Sequence, residues 1–260
     1  MAERWWRSER GQKWLREVGN IVLGVLIALT LGAIANEIGW RVEVANARDA
    51  LAEEMGEIVG QARERERADA CIERRLDAVG AVLSEAERTG RLPPVGRIGN
   101  PMYRSWSRGV WDSTLGGDIA SHFDRETLDN LSGAYEFVDF INRRTEQEVE
   151  AWTGLYAIVG PGRAVTPAEV AEIRSALSEA RMAHRYIVLG SIRLDQVVQA
   201  FELPLNQEPI QDYAQLKNNP LCSPIDAPDG RDYGEAPGIG MVERLRANPI
   251  TRDSIGVQRR

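Results

Sequence analysis

Residues 18–40 read VGNIVLGVLIALTLGAIANEIGW, and no other stretch of the 260-residue chain approaches them in hydrophobicity. Residues 21–35 carry no charge and one hydroxyl, Thr30. At about 1.5 Å per residue this inner run covers ~22 Å, short of a ~30 Å hydrocarbon layer, whereas residues 18–38 reach it. Asn20, Asn36 and Glu37 fall near the ends, where headgroups and water satisfy them. Trp14 and Trp40 stand where interfacial aromatics belong. The segment predicts a single membrane-spanning helix, with the lipid bilayer as its first partner. Five basic residues precede it (Arg4, Arg7, Arg10, Lys13 and Arg16), and only Arg41 and Arg48 follow closely. The positive-inside bias therefore predicts a cytoplasmic N-terminus, with the bulk of the chain in the periplasm of a bacterial inner membrane.

Two other readings compete. Ala33-Ile34-Ala35 has the small-x-small form of a signal-peptidase site, which would make the segment a signal peptide cleaved after Ala35. The leader carries Glu3, Glu9 and Glu17 and three tryptophans, Trp5, Trp6 and Trp14, which favours a retained anchor. The remaining reading is a buried core helix of a soluble protein. Along the segment, Gly24, Ala28, Gly32 and Asn36 recur every four residues. Small residues at that spacing let two helices approach closely in lipid, so this face is a candidate homodimer contact.

The net charge is -7, with 39 acidic and 32 basic residues, and only Lys13 and Lys217 are lysines. An acidic body argues against nucleic acid as a partner. The two cysteines, Cys71 and Cys222, are not spaced as a metal motif. In an oxidising compartment they are expected to pair as a disulfide.

Residues 1–17 read as a cytoplasmic, interfacial lead-in whose tryptophans and arginines suit a headgroup layer. After Trp40 the helical pattern continues through Leu51, Met55, Ile58, Ala62, Ile72, Leu76, Val79, Leu83 and Ala86 at three-four spacing. Arg65 and Asp69 interrupt it at inward positions. Gly39, Gly56 and Gly60 each weaken the helix, and Gly90 with Pro93-Pro94 ends it. Trp106 and Trp111 are expected to pack under the long helices. Asp124 is a candidate N-cap for a helix bearing Leu128, Leu131, Tyr135, Val138, Ile141, Val149, Trp152 and Tyr156. Thr166-Pro167-Ala168-Glu169 is a capping box with Pro at the first helical position. It opens a seam of Val170, Ile173, Leu177, Ala180, His184, Ile187, Ser191, Leu194, Val198 and Phe201, expected to stop at Pro204. Residues 205–260 are rich in Pro and Gly and read as an irregular tail, with one helical stretch over residues 241–247. The predicted fold is all-α: a transmembrane helix over residues 18–40, an elongated periplasmic helical bundle over 41–204, and the tail.

A search for chemistry finds no catalytic constellation. His122 and His184 are the only histidines, and neither follows an acidic residue at the spacing of di-iron bundles. HExxH, paired CxxC, a Walker loop and GxSxG are absent, so no metal, cofactor or nucleophile is assigned. His184 lies on the apolar seam, either as a hydrogen-bonded core histidine or as a pH- or ligand-sensing one. Arg65 and Asp69, one turn apart, either line a polar pocket or pair with each other. Trp106, Trp111, Tyr135, Trp152 and Tyr156 are core aromatics or a ligand cage.

The EVGNIVLGVLIAL stretch, residues 17–29, resembles the anchor of a group of bacterial single-pass membrane proteins classed as a domain of unknown function. Residues 111–141, WDSTLGGDIASHFDRETLDNLSGAYEFVDFI, are similar to their second pattern. There a Trp precedes a small-Gly turn and a helix with a Leu-Ser-x-x-Tyr step, here Leu131, Ser132 and Tyr135; Glu150 and Trp152 also fit. The resemblance spans roughly residues 15–160 and departs at AIANEIGW, where many relatives have Asn-Trp-Asn. It implies the anchored architecture and no activity. The expectation is thus a non-enzymatic scaffold, accessory subunit or sensor module with an unidentified protein partner. The alternative is a hydrolase or lipid-modifying enzyme with a carboxylate site around Arg65.

Overall fold

The computed structural model describes residues 9–205, 220–222 and 224–225. Trp5 and Trp6 of the lead-in, most of the tail and the helical stretch expected at 241–247 lie outside these residues. The described chain is almost wholly helical. Helix α1, Glu9–Thr89, is one continuous helix of 81 residues, so from Glu9 onward the lead-in and the apolar segment are a single element. Gly39, Gly56 and Gly60 do not break it. Each costs about 1 kcal/mol relative to Ala in a helix interior, and burial of Leu51, Met55, Ile58 and Val59 around the last two offsets that. Gly90 ends α1 in the left-handed region at φ +69, its N–H donating to the Ala86 carbonyl.

Helix α2 covers Gly109–Gly116, followed by a 3₁₀ turn over Asp118–His122. Helix α3 is Arg125–Leu155 and helix α4 is Pro167–Ala200. Asp124 caps α3 as expected, accepting the Thr127 N–H. The capping box forms too. The Thr166 hydroxyl accepts the Glu169 N–H and the Glu169 carboxylate accepts the Thr166 N–H. These bonds, together with the Arg163 guanidinium, hold the Glu169 carboxyl down at about 2. Against the all-helical expectation, two short strands, β1 (Arg91–Leu92) and β2 (Arg163–Ala164), pair antiparallel. They are too short to carry a two-residue alternation.

Helix α4 ends before Pro204, in a Schellman motif. The Leu203 N–H donates to Val198 and the Glu202 N–H to Gln199, with Glu202 left-handed at φ 49. This turn swings Phe201 off the seam: it is 44 % exposed, and Leu203 is buried in its place. The other predicted seam positions, Val170 to Val198, are all buried.

The chain divides into two compact units. Of the described residues, unit 1 contains 9–61, 106–139 and 193–205. Within it, residues 19–39 of α1 are exposed at every position, with Ile21 at 67 % and Leu29 at 66 %. The packed part of unit 1 is organised on Glu54, a carboxylate on α1 that is only 7 % exposed. It accepts the Val110 and Trp111 N–H groups at the start of α2, the Ser107 hydroxyl and the Tyr135 hydroxyl at 2.6 Å. The carboxylate thus satisfies orphan amides of α2 from another helix. Burial, then the bond to Glu54, pushes the Tyr135 phenol up. Trp111 stacks on Tyr135 and Trp40 on His122, at centroid distances of 4.8 and 4.0 Å.

Of the described residues, unit 2 contains 62–105, 140–192, 220–222 and 224–225. Three helices share its core: Ile72, Leu76, Val79 and Leu83 from α1, Trp152 and Leu155 from α3, and Ile173, Leu177 and Ala180 from α4. Helices α3 and α4 approach closely at two glycines. A Cβ on Gly154 would lie 2.8 Å from the Ala176 methyl, and one on Gly190 2.7 Å from the Ile141 side chain. Cys71 and Cys222 are disulfide-bonded, Cα atoms 5.0 Å apart, and the adjacent Leu221 is buried in the same core.

Candidate functional site

The inward stripe of α3 explains the most unusual cluster of unit 2. Val138, Ile141, Thr145, Glu148, Trp152 and Leu155 follow a strict three-four rhythm, and all are buried. Thr145 and Glu148 are missing from the sequence-based stripe, which passes instead through Val149, here 37 % exposed. Keeping the rhythm between Ile141 and Trp152 selects Glu148 despite its charge. Preferring the apolar neighbour loses it.

Glu148 and His184 are fully buried, and Arg65 is 3 % exposed. A carboxylate without water requires a counter-charge, and the Arg65 guanidinium supplies it through a short ion pair. The same Arg65 nitrogen, Nη2, donates to His184 Nδ1 at 2.8 Å, and Nη1 donates to the Met102 carbonyl. A guanidinium has no acceptor, so His184 Nδ1 offers its lone pair and the ring proton sits on Nε2. Nε2 then donates to Asp69 Oδ1, also at 2.8 Å. The four side chains form one chain of bonds, Glu148–Arg65–His184–Asp69, from the core to a half-exposed carboxylate. Burial, then the Arg65 charge, pushes the His184 pKa down, against the opposing pull of Glu148 and Asp69.

The structure brings Arg65, Asp69 and His184 together, but Arg65 does not pair with Asp69. The buried Glu148 takes the guanidinium, and Asp69, with water still available, takes the imidazole N–H. His184 is fully buried and hydrogen-bonded through both ring nitrogens. Its Nδ1 lone pair is held by a cation and its Nε2 by a carboxylate, which differs from the nucleophile–base pairing of covalent catalysis. Glu73, one turn beyond Asp69 and in contact with Arg185, joins the edge of the cluster. Asp69, Glu73 and His184 each bring one donor atom within 4.8 Å of the others.

The other candidate residues lie elsewhere. Gly24, Ala28, Gly32 and Asn36 are exposed, and a Cβ on Gly24 or Gly32 meets nothing within 4 Å. Trp106, Trp111, Tyr135 and Trp152 are buried as core aromatics. Trp152 and the half-buried Tyr156 both donate to the Gly99 carbonyl. Two half-open cavities, of about 420 and 430 Å³, flank the start of α4. Neither is lined by Arg65, Asp69, Glu148 or His184. No protein-family model matches the chain, and comparison with curated proteins and with solved structures finds no match either. The likeness of residues 17–29 and 111–141 to the anchored family therefore stands on the quoted motifs alone.

Proposed function

We propose that this is a membrane-anchored periplasmic protein that acts by interaction, as a scaffold, accessory subunit or sensor module, rather than by catalysis. The observation that carries the reading is the contrast along α1. Residues 19–39 are exposed at every position, with an uncharged, mostly apolar run over 21–35, while from Leu51 the same unbroken helix is packed. Apolar surface on that scale calls for a non-aqueous surrounding, and a bilayer is the one whose thickness fits. The Cys71–Cys222 bond suits an oxidising compartment, in line with the charge asymmetry of the flanks. Both ring nitrogens of His184 are already bonded, to Arg65 and to Asp69, which favours interaction over the carboxylate-enzyme alternative.

A C-terminal fusion to a reporter active only in the periplasm is expected to be active, and a cytoplasm-only reporter silent. The reverse pattern would overturn the topology, and a mature N-terminus at Asn36 would replace the anchor by a cleaved signal. Self-association through Gly24, Ala28, Gly32 and Asn36 belongs to the same proposal. Disulfide cross-linking from single cysteines along that face should then show a four-residue periodicity.

A further inference from the structure

We propose that the turn at the end of α2, residues 115–122, lies in the zwitterionic headgroup layer of the bilayer, so that the protein meets the membrane at a second place beside its anchor. The proposal rests on the reading of residues 18–40 as a retained membrane helix. Along α1, residues 19–39 are exposed, and Trp40 is the first half-buried position after them. At about 1.5 Å per residue Trp40 stands ~3 Å beyond Ile38. The headgroup layer is roughly 5–7 Å deep on each side of the hydrocarbon. Trp40 therefore falls within it, where an indole is at home between lipid and water. The His122 ring stacks on Trp40, with centroids 4.0 Å apart and 15° between the planes, which brings the end of the 3₁₀ turn to the same depth.

The course of the chain agrees with this depth. The Val110 and Trp111 N–H groups bond to Glu54. His122 meets Trp40, about 21 Å nearer the anchor at the helical rise of α1. The stretch between them thus runs along α1 toward the lipid. Its outward surface suits a headgroup layer. Leu115 is 47 % exposed and Ile119 half-buried. An exposed leucine alone is ordinary on a protein surface, but this one belongs to the segment that the Trp40–His122 stack fixes beside the membrane. Residues 113–122, STLGGDIASH, carry one formal charge, Asp118, and no lysine or arginine. Recognition of anionic lipid needs clustered basic residues, so the turn fits zwitterionic headgroups instead. The exposed His122 makes no hydrogen bond among the described residues. A neutral imidazole has one N–H to give, and a lipid phosphate oxygen is an acceptor for it.

The test is spin labelling of the full chain in phosphatidylcholine nanodiscs at single introduced cysteines, with Cys71 and Cys222 left in their disulfide. Each label is scored by its collision rate with oxygen, which concentrates in hydrocarbon, divided by that with a water-soluble nickel chelate. Shielding by the protein itself cancels in this ratio, which therefore reports depth. Leu29→Cys marks the anchor, and Ser84→Cys marks the exposed far end of α1. Leu115→Cys and Ser121→Cys are expected to give ratios several-fold above that of Ser84→Cys and below that of Leu29→Cys. Adding Leu115→Glu, a change at an exposed position, should bring the Ser121→Cys ratio down toward that of Ser84→Cys. Ratios at 115 and 121 equal to that at 84, with the Leu29 label in hydrocarbon, would overturn the placement of the turn and leave the anchor standing. A Leu29 label open to the nickel chelate would overturn the anchor, and this proposal with it.

Discussion

At the scale of single residues, Arg65 and Glu148 form an ion pair with both partners buried. Breaking such a pair leaves an uncompensated charge in the core, whereas replacing both partners by apolar groups removes the desolvation cost as well. Glu148→Leu alone is therefore expected to destabilise unit 2 by about 3–5 kcal/mol, and Arg65→Met with Glu148→Leu by much less. Denaturant midpoints of the two variants check this, and equal losses would mean that the charges are not coupled. His184 adds a pH dependence of definite sign. Its folded pKa lies below the ordinary 6.5, so below that pH the unfolded chain binds more protons than the folded one. Stability should hold above pH 6.5, decline as the pH falls through it, and level off below the folded pKa. Melting temperatures across this range should show the decline in the wild-type chain and a flatter profile in His184→Gln.

At the scale of elements, α1 was the most legible from sequence, because its apolar positions keep one rhythm from Leu51 to Ala86, about ten turns, interrupted at Arg65 and Asp69. Its continuity was not, since three glycines argue locally against a helix and packing decides otherwise. In α3 the stripe was read correctly at both ends and lost in the middle. A rule that favours apolar residues passes over Glu148 when the structure buries a charge with its partner. Arg65 and Asp69 were visible as misfits on α1, but their partners come from other helices, and spacing within one element carries no information about those. Glu54 was passed over for the same reason, its ligands being amides of α2 that only the fold brings near. The contact of α3 with α4 gives a sharper test. Gly154→Ala places a methyl 2.8 Å from Ala176, where real contacts are not found, so the helices must separate. A loss of about 1–3 kcal/mol is expected in spite of alanine's better helix propensity. A gain in melting temperature would show that α3 and α4 do not approach so closely.

For the whole molecule, composition and patterning were enough to predict a helical chain with one exposed apolar segment and a cysteine pair. The short strands and the division into two units depend on contacts between residues far apart in sequence. The disulfide closes 151 residues. In the chain-entropy model a loop of that size contributes about 5 kcal/mol, so reduction, or Cys71→Ser with Cys222→Ser, should lower the melting temperature markedly. Thermal melts with and without reductant measure it, and superimposable curves would assign the bond no weight. The bond also makes a covalent ring of everything from Cys71 to Cys222, including all of α2, α3 and α4. A protease that cuts this ring once opens it without dividing the molecule. Both ends of the nicked chain remain fastened to α1, and the cut becomes visible as two fragments only after reduction.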